Sequence, residues 1–395
     1  METAPRAPEA TAIDAAASGA SRIAVQGATA AELAARLDLP EAELRRVIAH
    51  VRRGGDLSGH IEQVRRTTME RLRSACDVPA LTIVTEERSA VDPFRKFVVG
   101  LGDGERVETV RIPLEKAGRF SVCVSSQVGC ALGCTFCATG RLGLRRNLEV
   151  WEIIEQVRIV DRSLERGERV HGVVFQGMGE PMANLDRVLA AIRVLSDPSG
   201  LAIDGRAVTV CTSGLPSGIR RLAAEAPKVR LGLSLGTAVR ARRRSLMPID
   251  AAHSLDEVFA AAAEHARVTT LAPMWAVTLL SGVNDGDDDA DALAEAVLSF
   301  TTETGVRPRL SVIPYNAIGE ANGSADPYAR TPIEREEAFR ERLRARGVFS
   351  HKRYSGGGDV NAACGQLAAR AEGPRPRRGR AKSEGRPKGI EGDGE

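Results

Sequence analysis

Six short apolar segments alternate with stretches of helical periodicity along the central part of the 395-residue chain. The apolar segments are 120–126, 172–176, 207–212, 230–235, 274–280 and 310–314. The clearest helical stretches between them are 150–164, 185–195 and 287–300. Apolar strands that are each followed by an amphipathic helix pack as parallel β/α units. We therefore predict an α/β fold, a partial (β/α)6 TIM-like barrel, with its chemistry on the loops at the carboxyl ends of the strands.

The segments outside the barrel have different patterns. Residues 29–79 have the pattern of short helices, with a capping box formed by Thr29 and Glu32. The Gly-Asp-Gly run at 102–104 lies between two apolar runs, which is typical of a β-hairpin. We predict a disordered N-terminus (1–28), a small helical accessory domain (29–79), a β-hairpin extension (80–117), a barrel with a C-terminal cysteine loop (118–369) and a basic disordered tail (370–395).

Composition excludes some classes of protein. The chain has no apolar run of the ~18–20 residues that a membrane-spanning helix needs. Its N-terminus lacks the basic-then-apolar pattern of a secretory signal. We therefore expect a cytoplasmic protein with no membrane partner. In that setting its seven cysteines suit metal binding or thiol chemistry better than a disulfide framework.

Basic residues are clustered, although the net charge is only +3. The first group contains Arg141, Arg145 and Arg146. The second group contains Arg240, Arg242, Arg243 and Arg244, and the tail adds further Arg and Lys residues. Such groups suit contacts with nucleic-acid phosphates. For any one group, a solvated surface is the ordinary alternative.

Three cysteines with the spacing Cys130-x3-Cys134-x2-Cys137 follow the first predicted barrel strand. They suit an iron–sulfur cluster in which one iron has no protein ligand, because such clusters are usually held by four cysteines. A structural zinc site normally recruits a second Cys/His pair. Zinc binding and unliganded thiols are the alternatives. This spacing on a strand-to-helix loop is the signature of radical S-adenosylmethionine (SAM) enzymes, whose open iron binds the amino and carboxylate groups of SAM.

Small and polar residues follow several of the predicted strands. In Gly177-Met178-Gly179-Glu180-Pro181, the small residues let a ligand approach the backbone, and the Glu180 carboxylate can accept hydrogen bonds from a ligand ammonium. The other strand ends carry Thr212-Ser213-Gly214, Ser234-Leu235-Gly236 and Ile313-Pro314-Tyr315-Asn316. Such residues suit contacts with the ribose, carboxylate and adenine of SAM. Turn chemistry alone explains any one of them.

Two further cysteines lie outside the triplet. Cys364 lies in a loop of small residues, which suits an accessible, reactive thiol, and the alternative is a buried structural cysteine. Cys123 lies seven residues before Cys130, inside the first predicted barrel strand. Its side chain either points into the barrel near the cluster or belongs to the core.

Together these motifs resemble the RlmN/Cfr family of radical SAM methyltransferases, which act on adenosine in 23S ribosomal RNA. The similarity runs from about residue 80 to 370. The segments that carry it are Cys123-Val-Ser-Ser-Gln-Val-Gly-Cys130-Ala-Leu-Gly-Cys134-Thr-Phe-Cys137-Ala-Thr-Gly140, Arg146-Asn147-Leu148, Gly177-Met-Gly-Glu-Pro181, Ser245-Leu-Met-Pro-Ile249 and Ala362-Ala-Cys-Gly-Gln-Leu367. RlmN-type members methylate C2, some of them also in tRNA, and Cfr-type members methylate C8.

The resemblance implies a role for each candidate residue. The ligands of a [4Fe–4S] cluster would be Cys130, Cys134 and Cys137. The SAM-binding positions would be Gly179, Glu180, Ser213, Ser234, Leu235, Gly236 and Asn316. Cys364 would carry a methyl group taken from SAM. Cys123 would help to deprotonate the RNA adduct and then release the product through a transient disulfide with Cys364. Glu108 matches a position often assigned as a general base.

The leading interpretation is radical SAM-dependent methylation of adenosine C2 in 23S rRNA, with tRNA as a further candidate substrate. The resemblance also implies a monomer and a flavodoxin-like or other one-electron reductant. Two departures from the family pattern are Gly236, where His is usual, and the Ser-Gly-Gly-Gly-Asp run at 355–359, where an Arg is frequent. Three alternatives stay open: C8 methylation, a diverged radical SAM paralogue with another substrate, and a non-catalytic iron–sulfur RNA-binding protein.

Overall fold

The N-terminal segment forms a small domain with its own apolar core. The computed structural model describes residues 22–318, 325–352 and 356–368, so the predicted basic tail lies outside the described residues. The elements of this domain are β1 (Ile23–Ala24), α1 (Ala30–Leu37), α2 (Glu41–Arg52), α3 (Arg66–Ala75) and β2 (Cys76–Asp77), with β1 and β2 paired in parallel. The capping box of Thr29 and Glu32 is confirmed by both of its hydrogen bonds. The domain begins earlier than the predicted boundary at residue 29, because Val25 is already buried in its core.

Three antiparallel strands extend the barrel sheet on one side. They are β3 (Thr82–Arg88), β4 (Arg95–Gly100) and β5 (Arg106–Pro113). The turn at 102–104 joins β4 to β5, and Gly104 adopts a φ of +84° there, which glycine tolerates without strain. Strand β5 also pairs antiparallel with the first barrel strand, β6 (Arg119–Val124). The extension therefore contains one strand more than a hairpin.

Seven parallel strands continue the sheet in the order of the sequence. After β6, the short strands β7 (Gln127–Val128) and β8 (Arg146–Asn147) pair with each other. The other parallel strands are β9 (Arg169–Phe175), β10 (Val208–Thr212), β11 (Arg230–Ser234), β12 (Met274–Leu279), β13 (Arg309–Pro314) and β14 (Ser350–Lys352). The ten-stranded sheet has the order β14-β13-β12-β11-β10-β9-β6-β5-β4-β3. The predicted partial (β/α)6 barrel is confirmed, and β14 adds a strand too short for a recognisable apolar pattern.

Helices lie in the connections between successive strands of the barrel. They are α4 (Ala138–Leu142), α5 (Val150–Arg162), α6 (Leu185–Ser196), α7 (Pro216–Glu225), α8 (Arg240–Leu246), α9 (Leu255–Thr269), α10 (Asp287–Thr304) and α11 (Ile333–Ala345). The fully buried Trp275 of β12 stacks on Phe259 of α9 and meets the edge of Phe300 of α10, at ring-centroid distances of 5.0 and 5.1 Å. Such pairs stabilise a core beyond the area they bury. Among the described helices, none is both long and apolar enough to cross a membrane.

Buried polar contacts fix the accessory domain against the barrel. The guanidinium of Arg158 in α5 donates to the carbonyl of Val51 at the end of α2, 2.5 Å away. At the start of α1, the amide of Ala30 donates to the carboxylate of Asp197, which follows α6. Because unpaired buried groups would be costly, these contacts favour one orientation of the two domains.

Acidification should destabilise the fold through His265 of α9. This side chain is fully buried, its Nε2 has no hydrogen-bond partner among the described residues, and burial lowers its pKa to about 4. The unfolded chain therefore binds more protons between the unfolded and folded pKa values, and stability falls as the pH drops from about 6.5 towards 4. The full effect is about 3 kcal/mol.

The melting temperature of a His265→Gln variant should accordingly depend less on pH between 7 and 5 than that of the wild type. His60 is exposed, so a His60→Gln variant is the matched control and should keep the wild-type slope. Equal slopes for all three proteins, measured by thermal denaturation, would contradict this account.

Candidate active site

The cysteine triplet lies in a loop that neighbouring elements hold on two sides. Cys137 precedes α4, and its amide donates to the carbonyl of Cys134, 3.2 Å away. Between them, the amide of Thr135 donates to the carbonyl of Leu246 at the end of α8. The Thr135 hydroxyl also lies 2.7 Å from the hydroxyl of Tyr328. These bonds hold the loop in one conformation. Sequence analysis assigned no role to Tyr328.

The three thiols of this loop are close enough to disfavour one another's ionisation. Burial, together with charge on Cys137, raises the pKa of Cys130 and of Cys134 to about 12. Burial also raises the pKa of Cys137. A bound metal reverses this preference, because its charge deprotonates a coordinating thiol.

The thiols therefore fit a cationic iron cluster. In the described part of the chain, no three His, Cys, Asp or Glu side chains converge enough to hold a single metal ion. In an iron–sulfur cluster each cysteine binds a different iron, so the three thiols need not converge on a single point.

An open cavity of about 860 Å³ lies beside this loop, at the carboxyl ends of the parallel strands. The predicted site residues that line it are Cys134, Cys137, Gly179, Glu180, Ser213, Ser234, Gly236 and Cys364. Two of the predicted SAM-binding positions do not line it: the side chain of Leu235 is buried in the core, and Tyr315 rather than Asn316 lines the cavity. The predicted cluster ligand Cys130 does not line it either.

Glu180 places a buried carboxylate in the wall of this cavity. Its two oxygens accept hydrogen bonds from the amides of Ser213 (2.9 Å) and Met182 (3.1 Å). Its own amide donates to the side-chain oxygen of Gln127, 2.8 Å away. Burial raises the pKa of Glu180. A cationic ligand group would offset the cost of keeping this carboxylate charged in a buried wall.

At Gly236, main-chain atoms form the wall of this cavity. Gly236 has a φ of +69°, and a Cβ atom there would lie 2.6 Å from the sulfur of Met247. Its carbonyl accepts a hydrogen bond of 2.7 Å from the side-chain amide of Asn284. Sequence analysis assigned no role to Asn284, because a side chain that supports a distant carbonyl leaves no local pattern.

The loop of Cys364 is docked onto the helix that follows the triplet. The carbonyl of Gly365 accepts a hydrogen bond of 2.8 Å from the amide of Ala138, the first residue of α4. The hydroxyl of Thr139 donates to the carbonyl of Leu367. These contacts bring Cys364 beside the triplet, and charge on Cys364 raises the pKa of Cys137.

A second cavity of about 460 Å³ adjoins the other side of Cys364. Its lining is mostly apolar: Phe94, Val110, Ile112, Cys123, Gln176, Gly356, Ala362, Ala363, Cys364 and Leu367. Cys364 belongs to the walls of both cavities, and Cys123 only to this one. Both cysteines are free thiols in the structure. The fold therefore brings together the two cysteines that sequence reasoning singled out.

The turn between β3 and β4 holds the other end of the Cys364 loop. The amide of Gly357 donates to the carboxylate of Asp92, 2.8 Å away, and the amide of Ala90 donates to the carboxylate of Asp359, also 2.8 Å away. Residue 355, the first of the run at 355–359 where an Arg is frequent in the family, lies outside the described residues. Sequence reasoning missed this pair of contacts because its members are more than 260 residues apart.

Glu108 lies on β5 and is only 3% exposed. Its carboxylate lies 3.6 Å from the ammonium of Lys96 and is also near the backbone amide of Ala368, just after the Cys364 loop. Burial raises the pKa of Glu108 to about 7, although Lys96 and Ala368 both act to lower it. An acid whose pKa lies near neutrality is suited to proton transfer.

Most arginines of the two predicted basic groups are occupied by acidic partners. Arg146 contacts Asp103 and Glu152, and the buried Arg243 contacts Asp250. Arg240 and Arg242 are paired in the same way. Within the described residues, the exposed Arg145 and Arg244 make no ion pair. Most members of the two groups therefore have acidic partners in the structure, and their contact with phosphates stays a prediction.

Comparisons with known proteins agree with this geometry. Residues 124–298 match the model of the radical SAM superfamily. A probable RNA methyltransferase of Sorangium cellulosum is 56% identical over 87% of this chain and 92% of its own length. The dual-specificity RNA methyltransferase RlmN of Syntrophobacter fumaroxidans is 40% identical over 75% of this chain and 83% of its own length. The crystal structure of a radical SAM methyltransferase from Sphaerobacter thermophilus matches with a TM-score of 0.79 and 34% identity, over 88% of this chain and all of that chain.

A Gly179→Ala substitution should weaken SAM binding by tenfold or more, ~1.4 kcal/mol. Gly179 has a φ of +99°, and a Cβ atom there would lie 2.5 Å from the Cβ of Gln127, which holds the amide of Glu180. Gly104 has a similar φ of +84° in an open turn, with nothing within 4 Å of its Cβ position. A Gly104→Ala variant is therefore the control for backbone strain and should bind normally. Equal SAM affinities for the two variants, measured by calorimetry, would disprove the crowding argument.

Proposed function

The chain belongs to the RlmN family of radical SAM RNA methyltransferases, and from this membership we propose that it methylates C2 of adenosine in 23S rRNA. The observation that carries the proposal is the position of Cys364, which lines both the cavity beside the triplet and the cavity that contains Cys123. A methyl carrier needs this arrangement, since it must meet the methyl donor on one side and the release thiol on the other.

A [4Fe–4S] cluster and SAM are the cofactors of the family, and together they supply a methyl group and a 5′-deoxyadenosyl radical. The cluster ligands that we propose are Cys130, Cys134 and Cys137. The buried carboxylate of Glu180 would bind the amino group of SAM, and Gly179 lets it approach closely. Ser213, Ser234 and the backbone of Gly236 would contact the remaining polar groups.

Cys364 would act first as a nucleophile, because C2 of adenine is electron-poor and does not attack SAM itself. The Cys364 thiolate would take the methyl group from SAM and become a thioether. The mostly apolar lining of the second cavity, including Phe94 and Val110, suits such an uncharged group.

Cys123 and Glu108 would complete the reaction after the methylene carbon has bonded to adenine. The methyl group on Cys364 would first lose a hydrogen atom to the 5′-deoxyadenosyl radical, and the resulting carbon radical would add to C2. Glu108 or Cys123 would then take the proton from C2, and the adduct would pass its unpaired electron to a one-electron acceptor, a role that the cluster would supply. The Cys123 thiolate would then attack the sulfur of Cys364. An S–S bond forms, the bond between that sulfur and the methylene carbon breaks, and the carbon takes a proton to become methyl. Two electrons and two protons return the disulfide to two thiols, and a flavodoxin-like protein or another one-electron donor would supply these electrons in two steps.

The RNA substrate must present an unstacked adenine to the barrel mouth, as base-modifying enzymes require. Arg145 and Arg244 are exposed and make no ion pair within the described residues, so they are the arginines of the two basic groups that we assign to RNA phosphates. The relatives include a dual-specificity enzyme, so tRNA belongs in the assay beside rRNA. Analysis of the modified nucleoside by mass spectrometry separates 2-methyladenosine from the C8 alternative.

A Cys364→Ala variant should lose RNA methylation by about 10³-fold or more, which is typical of the loss of a nucleophile. It should still bind the cluster and cleave SAM to 5′-deoxyadenosine, since the triplet is intact. Cys76 is buried in the core of the accessory domain, so a Cys76→Ala variant controls for the loss of a buried thiol and should keep its activity. Wild-type methylation by the Cys364→Ala variant would refute the methyl-cysteine mechanism.

A further inference from the structure

A row of charged side chains crosses the three strands of the antiparallel extension. Glu87 of β3 pairs with Lys96 of β4 in the strand register, and Lys96 is diagonal to Glu108 of β5. The Lys96 ammonium lies 3.3 Å from the carboxylate of Glu87 and 3.6 Å from that of Glu108. Lys96 and Glu108 are 4% and 3% exposed, whereas the Glu87 side chain is 34% exposed.

This row faces the cavity that contains the two reactive cysteines. Lys96 and Cys123 are both register partners of Val110, and paired residues point to the same face of a sheet. Glu108 lies two residues before Val110 on the same strand, so its side chain points to that face as well. Val110 lines the cavity shared by Cys123 and Cys364.

One oxygen of Glu108 has no hydrogen-bond partner among the described residues. Its Oε1 faces Lys96, whereas its Oε2 is buried and has no hydrogen-bond partner among the described residues. Buried polar atoms in native structures normally have a partner. An open acceptor beside a reactive cavity is therefore suited to a group that arrives with the substrate.

We propose that Lys96 is a positioning residue that keeps Glu108 ionised as the proton acceptor of the reaction, and that Glu87 balances Lys96 once Glu108 is neutral. The inference rests on the proposed function. Glu108 would take the proton on Oε2 and become an uncharged acid. Lys96 remains paired with Glu87. Without Glu87, protonation of Glu108 would leave a buried ammonium with no counter-charge, which is costly.

The groups that act on the Glu108 carboxylate are Glu87 on β3, Lys96 on β4 and the amide of Ala368 on the C-terminal loop. Cys123 on β6 and Cys364 line the cavity on the same face of the sheet. Lys96 lowers the pKa of Glu108 and Glu87 raises it. The two neighbours thus have opposite effects, and their removal should shift the activity profile in opposite directions.

The test is the pH dependence of RNA methylation by the reconstituted enzyme. A Lys96→Met variant should move the acid limb to higher pH by about one to three units, because it removes an opposite charge within contact distance. At neutral pH this variant should be about tenfold or more slower, and it should recover at higher pH. A Glu87→Gln variant should move the limb to lower pH, and a Lys96→Arg variant should stay close to the wild type.

Arg158 provides the matched control for loss of a buried cation. It is 6% exposed and paired with Glu155 on α5, and it lines neither of the two site cavities. An Arg158→Met variant should melt at a lower temperature and keep the acid limb of the wild type. The proposal would be overturned if the Lys96→Met variant also kept the acid limb of the wild type. It would equally be overturned if the acid limb moved in the same direction in the Lys96→Met and Glu87→Gln variants.

A measurement without substrate separates this inference from the proposed function. In a double-mutant cycle of Lys96→Met and Glu108→Gln, thermal unfolding at neutral pH should show that the second change restores part of the stability lost by the first. Additive losses would overturn the coupling, whatever the enzyme acts on. If the wild type methylates neither rRNA nor tRNA while the cycle shows coupling, the proposed function fails and the charge row stands.

Discussion

One backbone hydrogen bond sets the geometry on which the rest of the site depends. It joins the amide of Ala138, directly after Cys137, to the carbonyl of Gly365, directly after Cys364. Two cysteines that lie more than 200 residues apart in the chain are thereby held by their immediate neighbours. Because the bond uses main-chain atoms, substitutions of most side chains leave it intact. The bond joins the cysteine loop of the barrel to the C-terminal loop, so the two form one site.

The antiparallel extension adds a second cavity to the one formed by the barrel. The parallel strands form the cleft beside the triplet, and the extension adds the cavity on the far side of Cys364. It contributes Val110 and Ile112 to the walls, and it also contributes Glu108 with its two charged neighbours. The carboxylate of Asp92, in the turn between β3 and β4, holds the loop of Cys364. Under the proposed mechanism, radical formation and methyl transfer would thus be supported by different parts of one sheet.

Local patterns predicted the strands, the helices and the cysteine spacing, because each depends on residues close together in the chain. The supports of the site were not predictable in this way. Asn284 holds the carbonyl of Gly236, and Tyr328 contacts Thr135, through contacts that join distant segments. The partners of the arginine groups were not predictable for a related reason, since sequence shows where positive charge lies but not which acids pair with it. Arg242, for example, contacts acids of α10.

The position of Cys364 in the common wall of two cavities also bears on transport within the enzyme. A cysteine side chain has a single rotatable bond between its backbone and its sulfur, with three staggered positions. Rotation about that bond would carry the sulfur from one cavity to the other while the backbone stays docked. Such rotations take far less time than the movement of a loop or domain. The methyl group would then travel on a tether of one carbon atom, so it could reach the substrate without passing through solvent.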